Sequence, residues 1–307
     1  MQPYGVMFHH FHGKGHIKSQ GSISEEDLDD ILHQIGKDNI LPADEWLRRA
    51  VSGSLKKRDI CLTFDDNLKC QFDIAFPVLR SYGLTAIWFV YTSPLFGHLE
   101  NLEIFRYFRF KYFKDINKFY DEFFKLLSNS SYSDLVSKAL DSFLPGSWMK
   151  KFTFYSDMDR TFRYIRDEVL GPERYNDIMN VMISAKGMDK EALCTKLWMN
   201  KKDILELNIN GHLIGLHSQT HPTAMEKLSK QEQYEEYFLN HKVLTELLGV
   251  SPVTMSHPCN SYNKDTFKVL EELGILIGFR ANMELKDNFS IYEFPRQDHI
   301  NILKEIK

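Results

Sequence analysis

Two apolar runs that stop at chemistry-bearing residues constrain this chain more than any other feature in it. The run 212–216 ends in His217-Ser218-Gln219-Thr220-His221-Pro222, and the run 60–64 ends in Asp65-Asp66-Asn67. A helical turn after Leu216 would set two imidazoles, four residues apart, on one side of the backbone, where they can grip one divalent ion. Two neutral imidazoles leave such an ion short of ligands and charge, so a carboxylate is expected from elsewhere. Asp65-Asp66 is the best candidate. Two His and one Asp form a facial set that keeps positions open for water and substrate, the mark of a catalytic rather than a structural site. Alone, either motif is common surface or turn chemistry. Their weight comes from standing together, each at the C-terminal end of a strand-like run.

Thr63-Phe64-Asp65-Asp66 followed by His217-Ser218-Gln219-Thr220-His221 resembles the first two motifs of the NodB-homology polysaccharide deacetylases, also called carbohydrate esterase family four. The resemblance implies that Asp66, His217 and His221 hold a divalent metal ion and that Asp65 is the catalytic base. It also implies a distorted (β/α)7 barrel and removal of an N-acyl group, acetyl or formyl, from an amino sugar. The interval from Asp66 to His217 is longer than the family's usual one, which implies an insertion. Zinc is the first choice of metal, and cobalt, nickel or iron fit the same ligands.

Ser256-His257-Pro258-Cys259-Asn260-Ser261-Tyr262-Asn263 resembles the third family motif, which makes Pro258 a wall of the site and the Cys259 N–H an oxyanion donor. A main-chain donor is indifferent to its side chain. Cys259 as a nucleophile is the alternative, with no activating neighbour in the sequence. The motif's arginine is absent. Pro295-Arg296 resembles a Pro-Arg pair that follows the last strand in permuted members, so Arg296 is expected to replace it and keep Asp65 ionised. Phe8-His9 is similar to the Tyr-His pattern of members whose last motif sits at the N-terminus, which makes His9 the general acid, with His10 and His299 as alternatives. An imidazole suits that role because it can hold a proton near neutral pH and give it up.

Strand-like runs are expected at 4–8, 59–64, 84–91, 213–216, 252–255, 275–279 and 291–294, with helical segments between them. A β-α-β order calls for a parallel sheet with right-handed crossovers. Between 94 and 202 the alternation stops, so a mostly helical insertion (94–202) after the third strand is expected within one barrel domain spanning 1–307. The aromatics of 104–113 and 119–127 pack that insertion's own core, line a sugar cleft or touch a membrane.

A net charge of −4 provides no field for nucleic acid or an anionic membrane. The expected partner is an N-acylated amino sugar or glycan, a component or precursor of a surface polysaccharide; oligomeric state is open. Cys61, Cys70, Cys194 and Cys259 lack CxxC spacing, and the N-terminus lacks a basic region and a long apolar core, so a cytoplasmic location is expected. No run approaches the roughly 20 apolar residues of a membrane span. Two further readings stay open: a non-catalytic carbohydrate-binding relative, and an amidase acting on a non-sugar amide.

Overall fold

A computed structural model describes residues 2–149, 155–284 and 290–306 of the chain. In chain order it begins with β1 (Tyr4–Phe8), α1 (Glu25–Ile35), α2 (Ala43–Val51), β2 (Ile60–Phe64), α3 (Phe76–Tyr82) and β3 (Ile87–Val90). Then come α4 (Asn101–Tyr112), α5 (Ile116–Ser128), α6 (Ser133–Leu140), α7 (Asp157–Tyr164), α8 (Gly171–Ala185), α9 (Cys194–Leu197) and α10 (Lys201–Ile209). The chain ends with β4 (Leu213–Leu216), α11 (Lys230–Leu248), β5 (Thr254–Ser256), α12 (Lys264–Glu272), β6 (Ile277–Phe279), β7 (Arg296–Asp298) and α13 (His299–Ile306).

Every residue of β2 and β3 is buried, as continuous apolar strands covered on both faces must be. Seven strands pair in parallel in the order β6-β5-β4-β3-β2-β1-β7. The two edges meet through the segment before β7: Phe294 bridges Phe279 of β6, while Arg296 pairs with Gly5 of β1. The ring is nearly closed, a distorted (β/α)7 barrel. The last strand is therefore 296–298 and not 291–294. Among the described residues, 291–294 have no ladder to β1 and meet only β6 among the strands, through Gly278 N–H to the Ile291 carbonyl and Phe294 N–H to the Gly278 carbonyl, both 2.9 Å.

Cys61, Ile87, Phe89, Ile277 and Phe279 pack together inside the ring, joined by Trp46 of α2. The Trp46 ring lies 5.2 Å from Phe279 and 4.9 Å from Phe294. Ile87 opens its strand, and Leu213, which opens β4, packs against the same cluster. The N-terminal end of the barrel is thus filled, which leaves the C-terminal rim for chemistry. Gly215 in β4 keeps this packing possible, since a Cβ there would lie 2.5 Å from Thr254 Oγ1 and 2.6 Å from the Phe89 ring.

His212, just before β4, locks the same end. The Ala86 N–H and the Trp88 indole N–H both donate to its Nδ1, at 3.0 and 3.1 Å, so the ring is neutral with its proton on Nε2. Burial pushes its pKa from 6.5 down to about 4. The unfolded chain takes up a proton that the folded ring refuses, so stability is full above the ordinary pKa and falls as pH drops toward the folded one. His212→Asn, whose Oδ1 offers an acceptor at the same branch, is expected to remove about 2 kcal/mol of the stability lost between about pH 7 and about pH 5. Urea denaturation at both pH values checks this; an unchanged loss on acidification would contradict it.

The chain divides into two compact units, residues 1–100 with 191–307, and residues 101–190. The first holds the barrel. In the second, Phe105, Phe108, Phe119, Phe123 and Phe162 are almost fully buried. Phe162 contacts Phe119, Tyr120 and Phe123 with centroids 5.4, 5.2 and 5.1 Å apart. The aromatics of this segment build the unit's own core. Among the described residues no helix is long and apolar enough to cross a membrane.

Candidate active site

The loops after β2, β4 and β5 carry unusual backbone. Asp66, Asn67, Ser218, His221, Cys259 and Asn260 are six of the eight described non-glycine residues with positive φ. Left-handed backbone costs such residues about 1–3 kcal/mol each. Its concentration on one rim shows that side-chain direction, and not backbone comfort, decided these loops.

Asp66 Oδ1 lies 3.3 Å from Nε2 of both His217 and His221, and the two rings are 4.9 Å apart. The expected helical turn does not produce this. Residues 217–221 form a loop with Ser218 at φ 65° and His221 at φ 59°, because Pro222 disfavours right-handed helical backbone at the residue before it. His217 Nδ1 is 2.9 Å from the Ser256 carbonyl, which can only accept. Nδ1 therefore carries a proton, and Nε2, 3.3 Å from Asp66, is the nitrogen placed to ligate a cation. Asp66 Oδ1 is buried and accepts no hydrogen bond. The three ligand atoms lie within 4.8 Å of one another, and electron pairs so placed repel until a cation sits among them. Burial pushes His221 down to about 4, which keeps its imidazole neutral. One carboxylate and two imidazoles are a donor set that divalent transition metals accept.

Asp65, buried at the end of β2, meets Arg296 of β7 through two charge-assisted bonds: Nη1 to Oδ1 at 2.6 Å and Nη2 to Oδ2 at 2.7 Å. Arg296 Nη2 also donates to Ser256 Oγ at 2.6 Å, and Ser256 Oγ donates to Asp65 Oδ2 at 3.2 Å. Burial works against charge on Asp65, but the guanidinium prevails and holds the carboxyl below its ordinary range. Gly5 of β1 makes room for the arginine stem, since a Cβ there would stand 3.1 Å from Arg296 Cγ.

His9 follows β1, with Nε2 3.9 Å from both Asp65 Oδ2 and Asp66 Oδ2 and its side chain partly open to solvent. His10 stacks beside it, centroids 6.3 Å apart. His299 is buried elsewhere: its Nδ1 is 3.0 Å from the Met7 carbonyl and its Nε2 3.2 Å from the Gly21 carbonyl. Both its nitrogens are held by scaffold, so of the three histidines only His9 faces the two aspartates at these distances. Desolvation, aided by the carboxylates of Asp66, Glu100 and Asp65, pushes the Cys259 thiol up to about 12, so it stays protonated. The Cys259 N–H has no hydrogen-bond partner among the described residues.

Several contributors have no motif. On α11, Glu236 accepts from the Gln219 N–H at 3.0 Å, the Thr220 N–H at 2.8 Å and the Thr220 hydroxyl at 2.7 Å. One turn on, Asn240 accepts from the His217 N–H at 3.0 Å and donates to the Val90 carbonyl at 2.9 Å. Together they pin the histidine loop. Gln71 donates to the carbonyls of Asp65 at 2.6 Å and His9 at 2.8 Å, tying two loops together. The available signal was Gln233 and Asn240, polar residues sharing a buried stripe with Tyr237 and Leu244.

A family model described as polysaccharide deacetylase matches residues 171–278, the stretch that holds His217, His221 and Cys259. No curated protein matches the chain. Among solved structures, the Streptococcus pyogenes deacetylase PplD in complex with acetate is 14% identical, covering 100% of this chain and 99% of that chain at a TM-score of 0.56. A de-N-acetylase from Aggregatibacter actinomycetemcomitans is 12% identical, covering 100% and 98% at 0.54. The BpsB deacetylase domain from Bordetella bronchiseptica is 13% identical, covering 96% and 94% at 0.50. At such identities the likeness is one of fold. The polysaccharide deacetylase model covers only part of the chain, and carbohydrate deacetylation is the activity that this match supports.

Proposed function

We propose that the chain is a metal-dependent hydrolase that removes an acetyl or formyl group from the nitrogen of an amino sugar, within a surface polysaccharide or its precursor. The observation that carries this reading is the buried Asp65–Arg296 pair standing beside Asp66, His217 and His221. Those last three residues would hold a divalent ion, zinc first among the candidates, which supplies Lewis acidity toward an acyl carbonyl and toward water.

The chain's own groups do the rest. Asp65 takes the proton of the attacking water. Arg296 and Ser256 fill three acceptor positions of its carboxylate, and a carboxylate has about four. His9, beside both aspartates, holds the proton that the departing amine needs. The Cys259 N–H donates to the oxyanion of the tetrahedral intermediate, and Pro258 walls the site.

The test is acetate release from N-acetylglucosamine oligomers against short N-acetylated alkylamines. Release from the sugars supports the deacetylase. Release from the amines alone replaces it with an amidase, and release from neither by metal-bearing protein leaves a carbohydrate-binding relative. Because only its N–H is used, Cys259→Ser is expected to keep kcat/KM within about threefold. A loss of about a hundredfold or more would place the thiol in the chemistry.

A further inference from the structure

Residues 101–190 hold a group of guanidiniums that deacetylation does not use. Arg109 of α4 lies over the rings of Phe119 and Phe162, each 5.7 Å from centroid, and Arg166 lies over Phe162 at 5.8 Å. Arg163 of α7 stands 4.1 Å over Tyr155. Both Arg163 and Arg166 are close enough to Arg109 for their charges to repel it.

The neighbouring carboxylates are already engaged. Asp167 binds Arg166 in a fork at 2.6 and 2.8 Å, and Asp159 accepts from the hydroxyls of Tyr120 and Ser156. Arg109 and Arg163 are left without an acceptor: among the described residues the buried Nε of each has no hydrogen-bond partner. Tyr175, 3% exposed, sits among the same three arginines.

A guanidinium whose buried Nε has no acceptor is unfavourable, and ring faces offset only part of that. Two of them side by side add repulsion. The partner such a cluster calls for is anionic and rich in oxygens, since two guanidinium forks and a phenol need acceptors together. A phosphoryl group matches, because its three oxygens serve two forks at once, whereas a carboxylate offers two. We propose that Arg109, Arg163 and Tyr175 form a binding site for a phosphoryl group, carried either by a soluble phosphate or by the headgroup of an anionic lipid.

The full chain is melted in inorganic phosphate and in chloride at matched ionic strength, as wild type, Arg109→Met and Arg163→Met. Phosphate at about 10 mM is expected to raise the wild-type Tm by about 2–4 °C over chloride. Both variants are expected to lose that increment. In chloride Arg109→Met should melt no lower than wild type, because the substitution removes an uncompensated charge. Arg163→Met, whose side chain is only partly buried, tests the site independently if Arg109→Met folds poorly. Equal wild-type Tm in the two salts, or an increment that survives both substitutions, would overturn the site. Cosedimentation with phosphatidylglycerol but not phosphatidylcholine vesicles, lost in Arg163→Met, would support it and assign the lipid source. No cosedimentation with the phosphate increment intact would support it and assign the soluble source.

Discussion

Arg296→Met is expected to cost the fold about 3–5 kcal/mol at neutral pH and to abolish deacetylation. The guanidinium is fully buried and makes two of the three hydrogen bonds that hold the Asp65 carboxylate. Without it a buried negative charge stands opposite a methyl group, and Ser256 loses the donor that orients its hydroxyl. Arg296→Lys should recover part of the stability and little of the activity. A single ammonium cannot reach both carboxylate oxygens and Ser256 in one plane, as the fork does. Urea denaturation read beside acetate release checks both variants. Wild-type stability in Arg296→Met would mean that Asp65 does not depend on its charge partner.

Asp65→Asn is expected to lower kcat by about 10²–10⁴-fold while leaving the metal in place. The amide keeps the shape of the carboxylate but cannot take a proton. It also turns one acceptor into a donor facing Arg296, so the variant's stability must be measured with its rate. Asp66, not Asp65, is the carboxylate that meets both imidazoles at 3.3 Å. Metal lost together with activity in Asp65→Asn would reassign Asp65 as a ligand.

The parts of this molecule that could be read from the sequence are those written locally. A parallel strand covered on both faces appears as a continuous apolar run, and a barrel collects the residues after such runs on one rim. That is why Asp65, Asp66, His217 and His221 could be brought together before any coordinates. The last strand could not be placed, because residues 291–294 are apolar and look like a strand while 296–298 are polar. The buried position of Arg296 is decided by Asp65, 231 residues away in sequence. The backbone of the histidine loop was likewise hidden, since Pro222 and the Glu236 side chain of α11 override the helical spacing. His9, His10 and His299 are one residue type. Two carbonyl partners set His299 apart, and no pattern in the chain announces them.

The decisive measurement is the metal content of the purified full chain, taken beside acetate release, for wild type, His217→Ala and Asp65→Asn. About one equivalent per chain is expected in wild type and in Asp65→Asn, essentially none in His217→Ala, and substantial release from wild type alone. A full equivalent retained in His217→Ala, or undiminished release without metal, would contradict the assignment of Asp66, His217 and His221 as the ligands on which hydrolysis depends.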